Sequence, residues 1–376
     1  MPKTAYRLCG GRETTAYCVC NDKQSMQPWM SIANLTGDKV LYRDLQPGDP
    51  TMCGLADVRK RLEIPSGVIP RKRDADYARV VATIIAEFQT SHGHPSIQTA
   101  LVIGDTDNDR WVAEHLRTLG VPTFCFIGLD RLIEPPTITW EAATAYANRW
   151  ALLPSWLSTI EAHGIRWQAT ALLIDIDKTL LGPRGRCDQA IDDSRLAGAM
   201  QVAAELIGAT LDFHTFGANY AHLCQSPYQQ LTLDNQDYVV YLCLLVATNT
   251  LTLEAVQLLA TQATPQSFRQ LLATTASQVP SLLRDLHAEL RAADTAGDPT
   301  PFKRFRQAEF AATIARMRAG RLTLCHEVVA ITHTLRERGV LCVAASDKPT
   351  EAALPVPTQV AAGLTPLHHT LARVDS

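Results

Sequence analysis

The sequence predicts an α/β fold, a Rossmann-like parallel sheet flanked by helices and interrupted by a long all-helical block. Three observations carry this. Helix-period and strand-like segments alternate from residue 72 to 129, the signature of a parallel sheet covered by helices. Two further apolar strands occur in "QATALLIDID" and at 340 to 345. Between them, residues 188 to 318 read as helical almost throughout, with no convincing strand.

The elements follow in order. Residues 1 to 60 carry turn signals such as "TGDK" and "QPGDPTMCG" and one clear strand candidate, "KVLYRDL" at 39 to 45; their fold is otherwise left open. In "RDADYARVVATIIAEFQ" apolar residues fall at 78, 80, 81, 84, 85 and 88, a helical spacing. The strand "TALVIGD", the helix "DRWVAEHLRTLG" and the strand "PTFCFIGL" come next, then a connection at 139 to 163 that is expected to be helical. Helices are expected near 190 to 207, 235 to 248, 251 to 261, 266 to 277, 279 to 293, 304 to 318 and 324 to 338. The division expected is a segment 1 to 60 that can belong to the core, a first core part 61 to 182, a helical block 183 to 318, and a second core part with a tail at 319 to 376.

Composition narrows the function. At 376 residues the chain accommodates two domains, or one with a large insertion. Its 35 basic and 38 acidic residues nearly cancel, to a net charge of −3, so no nucleic-acid partner is expected. The longest apolar run, "YVVYLCLLVA" at 238 to 247, is about half the roughly 20 residues a membrane helix requires. It reads as a buried helix. The N-terminus lacks the apolar core of a secretory signal, which points to the cytoplasm and to thiols among the ten cysteines. Cys125, Cys243 and Cys342 sit in apolar strings as small hydrophobes. Cys9, Cys18, Cys20 and Cys53 supply four sulfurs for zinc, though not at the usual paired spacing.

Chemistry concentrates at strand ends. Asp175 and Asp177, two apart after an apolar strand, stand in the crevice where open α/β sheets bind ligands. One carboxylate can act as a nucleophile and the other as an acid/base if a cation screens them, and magnesium suits an all-oxygen site.

"DIDKT" resembles the D-x-D-x-T motif of the haloacid dehalogenase-like (HAD) phosphatase superfamily. The resemblance implies Asp175 as the nucleophile that becomes an aspartyl-phosphate and Asp177 as the acid that protonates the leaving oxygen and later activates water. It implies a magnesium contact from the Asp177 backbone carbonyl and from Asp175, and a loop steadied by Thr179. The second motif of the family, an apolar strand ending in a hydroxyl residue, resembles "GVLCVAASDKP" and implies Ser346 as a phosphate holder. The family's lysine and acid motif normally follow, yet after Ser346 only Asp347, Glu351 and Asp375 are acidic. "ALVIGDTDND", upstream, matches the acid motif instead. Asp105 becomes the implied magnesium ligand, with Asp109 binding through water or orienting Asp105. "RKRDADYARVV" offers Lys72 at the family's K-x-D-x-E spacing, with Arg71 and Arg73 leaving the register open and Lys348 as the other candidate.

The core motifs thus stand in apparently circularly permuted order, and residues 183 to 318 occupy the slot of a substrate-selecting cap. Arg184, Arg186, Tyr238, Tyr241, Lys303, Arg304 and Arg306 are its candidates for facing substrate, each with an ordinary reading as helix charge or core packing. Asp234 or Asn235 reads as a helix cap. The resulting expectation is a magnesium-dependent hydrolase of a small phosphorylated metabolite. A phosphotransferase or mutase acting on a phosphosugar, and a non-catalytic binding protein with the same fold, stand as alternatives.

Overall fold

The computed structural model describes residues 29–261 and 267–375. Its strands are β1 (Trp29–Met30), β2 (Val40–Leu41), β3 (Thr99–Gly104), β4 (Thr123–Gly128), β5 (Ile138–Glu141), β6 (Thr144–Ala147), β7 (Thr170–Asp175), β8 (Leu341–Ala345) and β9 (Ala372–Arg373). Seven of these form one sheet in the order β2-β8-β7-β3-β4-β6-β5, parallel except for the β5–β6 pair. β1 pairs with β9 in a separate antiparallel ribbon.

Apolar residues on both faces of the strands explain why the sheet is covered on both sides. Leu101 and Ile103 of β3, Leu172 and Ile174 of β7, and Cys342 and Ala344 of β8 enter one buried cluster. The alternate residues Ala100, Val102, Ala171, Leu173, Val343 and Ala345 enter the opposite one. The first face is covered by the helices Leu153–Glu161 and His326–Glu337, the second by Ala75–Ser91 and Asp107–Thr118.

Two expectations are corrected. The stretch 139 to 163 is helical only in its second half; it begins as the hairpin β5–β6, turning at Ala142 with φ 52°. The β-branched and aromatic residues of "TITWE" suit a half-exposed edge strand better than a helix. A helix at Phe213–Leu223, capped by the Asp212 carboxylate accepting from the backbone N–H groups of His214 and Thr215, was not anticipated. The segment before residue 60 joins the core through β2, which is only two residues long because the chain turns away at Tyr42.

The helical block has a hydrophobic cluster of its own, centred on Val239–Leu245, Phe268, Leu290 and Phe305. Its first and last helices, Gln189–Ile207 and Lys303–Arg318, run down to the sheet, where Ile191, Phe310, Ile314 and Met317 join the core cluster. These two stems approach most closely at Gly198, where an added Cβ would lie 2.5 Å from the backbone nitrogen of Glu309. No helix among the described residues is long and apolar enough to cross a membrane; the run 238 to 247 lies in the buried helix Gln236–Ala247.

An exposed helical Gly→Ala change stabilises by about 1 kcal/mol, whereas overpacking costs about 1–3 kcal/mol. Backbone cannot yield as a side chain does, so Gly198→Ala is expected to lower stability, measured as a reduced melting temperature. A rise would mean that the stems are free to separate at no cost.

Candidate active site

The register places the chemistry at the carboxyl ends of three interior strands. Ile103 pairs with Ile174, and Asp175 with Ala345, so Asp105, Asp175 and Ser346 leave three adjacent strands at nearly the same level. The chain turns after Asp175: Leu180 N–H donates to the Asp175 carbonyl and Leu181 N–H to that of Ile176, with Lys178 in the left-handed region at φ 65°. This folded loop keeps both Asp175 and Asp177 on a cleft of about 300 Å³ that also receives Asp105, Asp109, Lys72, Ser346 and Lys348.

Carboxylate oxygens of Asp105, Asp109 and Asp175 lie within 4.8 Å of one another. Lys72 is buried between two of them, its Nζ 2.7 Å from Asp109 Oδ1 and 2.5 Å from Asp175 Oδ1. Of the two lysine candidates, Lys72 therefore serves Asp175. Lys348 serves Asp177, its Nζ 3.0 Å from Oδ2. Arg73 is exposed beside Asp74 and takes no part.

Asp109 orients the acid loop. It sits in the first turn of the helix Asp107–Thr118, and its Oδ2 accepts from the backbone N–H of Asp105 at 3.2 Å and of Thr106 at 3.4 Å. Gly104 is required there, because a Cβ would lie 2.2 Å from the Asp109 carboxyl carbon. Asp107, the middle acid of "DTDND", points outward and pairs with Arg110.

Thr179, expected to steady the loop, and Arg184, expected to face substrate and found in the cleft lining, both hold Asp105. The buried Thr179 hydroxyl donates to Oδ1 at 3.4 Å and Arg184 Nε to Oδ2 at 2.5 Å. Arg186 lies outside the cleft lining, its guanidinium shared among Asp130, Glu327 and Asp375. Tyr238 stacks on Phe268 and the Tyr241 hydroxyl meets His287, both inside the helical block. Lys303 pairs with Asp298 and Glu351, and Arg304 with Glu205. Of the block's expected residues Arg184 and Arg306 line the cleft, Arg306 buried against Asp237 and Glu309. Asn235 caps its helix, accepting from Asp237 N–H.

Sequence reasoning missed Glu309, Arg195 and Arg43. Glu309 Oε1 faces Lys348 Nζ at 3.4 Å and Arg195 Nε at 3.6 Å, while Arg195 Nη2 approaches Asp177 Oδ2 at 3.6 Å. The signal for Glu309 was its i, i+3 spacing from Arg306, with Gly198 on the facing helix as the mark of close approach.

Burial raises the Asp105 carboxyl to about 6, helped by repulsion from Asp109 and opposed by Arg184. Burial also raises Asp175 well above the carboxylate range, against the pull of Lys72. Three carboxylates thus crowd against two cations, Lys72 and Arg184, and their all-oxygen donor set fits a divalent cation such as magnesium. A second group, Asp38, His368 and His369, also brings three donors together. Of the zinc candidates only half-buried Cys53 is described; Cys9, Cys18 and Cys20 lie outside the described residues.

Comparisons with family models, curated proteins and solved structures find no significant match to this chain.

Burial alone would raise the Glu309 carboxyl, but Lys348, Arg306 and Arg195 more than offset it and hold it down at about 2. A depressed carboxyl stabilises the fold above its ordinary value of 4.5 and loses that contribution as pH falls through about 2. Glu309→Gln, which removes the buried counter-charge shared by Lys348, Arg306 and Arg195, is expected to cost about 3–5 kcal/mol near neutrality. The gap in melting temperature between wild type and variant should narrow as pH is lowered from 4.5 toward 2; a constant gap would contradict the assignment.

Proposed function

We propose that the chain is a magnesium-dependent phosphomonoesterase of the HAD-like type, with its core motifs in permuted order and the helical block as its cap. The convergence of Asp105, Asp109 and Asp175 at the ends of two adjacent strands, with Lys72 bridging Asp109 and Asp175, carries this reading. Asp105 and Asp175 are 70 positions apart in sequence, and nothing in a merely solvated strand end calls for three clustered buried carboxylates, two of them sharing one ammonium.

Asp105, Asp175 and the Asp177 carbonyl would hold the ion, which supplies charge neutralisation at the phosphoryl oxygens when bound. Lys72 adds a fixed positive charge beside the nucleophile. Ser346 Oγ accepts from the Lys348 N–H at 3.0 Å, leaving its own hydrogen to donate to a phosphoryl oxygen. Asp175 attacks phosphorus in line, the ester P–O bond breaks, and Asp177 gives its proton to the leaving oxygen. Water then loses a proton to Asp177 and attacks phosphorus, breaking the acyl-phosphate P–O bond and releasing inorganic phosphate with Asp175 restored.

The two Asp177 oxygens are differently placed. Oδ2 is held by Lys348 and approached by Arg195, whereas Oδ1 is buried without a hydrogen-bond partner among the described residues. That free oxygen suits a group that exchanges a proton with a transient ligand.

Phosphate release from a phosphomonoester panel is expected to need magnesium and to stop on chelation. Asp175→Asn should reduce turnover by about 10³-fold or more, and Asp177→Asn by about 10²–10⁴-fold. Fluoroberyllate should raise the melting temperature of the wild type with magnesium, but not that of Asp175→Asn. Absence of both hydrolysis and Asp175-dependent fluoroberyllate binding would sink the proposal.

A further inference from the structure

Beyond the groups that serve Asp175 and Asp177, the cleft contains two arginines with no assigned task, Arg43 and Arg71. The Arg43 backbone N–H donates to the Lys348 carbonyl at 3.0 Å and its Nε to the Asp347 carbonyl at 2.8 Å, fixing it against the loop that follows Ser346. Its Nη1 is buried and has no hydrogen-bond partner among the described residues. Arg71 precedes Lys72 directly and lines the same cleft.

Among the described residues neither guanidinium forms an ion pair with a carboxylate. Arg306, by contrast, is neutralised by Asp237 and Glu309. Burial, then the like charges of Arg71 and Arg306, pull the Arg43 guanidinium down to about 9, against the weaker opposing pull of Asp347. A guanidinium keeps its proton, so this records positive charge gathered without compensation. Such convergence is unfavourable in an empty cleft and favourable around an anion.

We infer that the substrate is a small phosphomonoester carrying a second anionic group, a carboxylate or another phosphate, held by Arg43 and Arg71 while the scissile phosphate lies against Asp175, Ser346 and Lys72. The inference rests on the phosphatase reading for what occupies the Asp175 end. Arg71 adjoins Lys72 in sequence, and Arg43 is clamped to the loop bearing Lys348, so both guanidiniums stand beside the phosphate-holding residues. A cleft of about 300 Å³ is at the small end of ligand pockets, which suits a metabolite whose two anionic groups are a few bonds apart.

The test uses matched ligands on the Asp175→Asn protein with magnesium, by titration calorimetry: 3-phosphoglycerate against glycerol 3-phosphate, and fructose 1,6-bisphosphate against fructose 6-phosphate. Charge-assisted hydrogen bonds to a second anion predict about ten- to a hundredfold tighter binding of the doubly anionic member in at least one pair. Arg43→Met and Arg71→Met should each bring that ratio toward one. Arg71, whose side chain makes no hydrogen bond or ion pair among the described residues, reads the same effect if Arg43→Met fails to fold. Equal binding within both pairs by the protein with both arginines, or a preference surviving both substitutions, overturns the inference. A preserved ratio in a protein that hydrolyses no phosphomonoester upholds the two-anion site and removes only the phosphatase reading.

Discussion

The Lys72 ammonium, buried between Asp109 and Asp175, is the interaction on which the rest of the site depends. Burial by itself would lower its pKa, but the two carboxylates more than offset this and hold it well above the ordinary value. The dependence is mutual. Asp175 and Asp109 are themselves withdrawn from water, and without the ammonium they would be repelling charges in a low-dielectric setting. The pair of bonds also ties the turn before the helix Ala75–Ser91 to the loop after β3 and to the end of β7.

A second tier of charge links sheet and helical block. Glu309 accepts from Lys348 and Arg306, and Arg195 lies against both Glu309 and Asp177. Because Gly198 lets the stems touch, Glu309 can be fully buried and still reach the loop after β8. The helical block is thereby fixed to the cleft by salt bridges excluded from water, where geometry rather than screening sets their strength.

What the sequence made legible was the part governed by local pattern. Apolar runs ending in acids located β3 and β7, and the run ending in Ser346 located β8, since a strand buried on both faces leaves few alternatives for such residues. The acids' alliance was inferred from motif spacing, and the geometry brings Asp105 and Asp175 within reach of one ion. Arg184, expected to face substrate, does line the cleft, but the hold of its guanidinium on Asp105 was not legible in a local pattern. Glu309 and Arg195 were hidden because their role arises from helix packing across more than a hundred residues, which no local pattern records. The hairpin β5–β6 was hidden because its edge position leaves Thr139, Trp140 and Glu141 exposed, blurring the alternation that marks a half-buried strand.

The small ribbon of β1 and β9 bears on the order of the motifs. Trp29 lies opposite Arg373 and Met30 opposite Ala372, so the first and last described strands are neighbours. The fold between them is close to a ring. Cut instead at the exposed turn around Gly164 and joined across that ribbon, the same ring would be read from β7 through the helical block to β8, then to Lys72 and β3. Every hydrogen bond of the seven-stranded sheet would survive the change. Motif order is therefore a property of where the ring is opened, and the assembled cleft is indifferent to it.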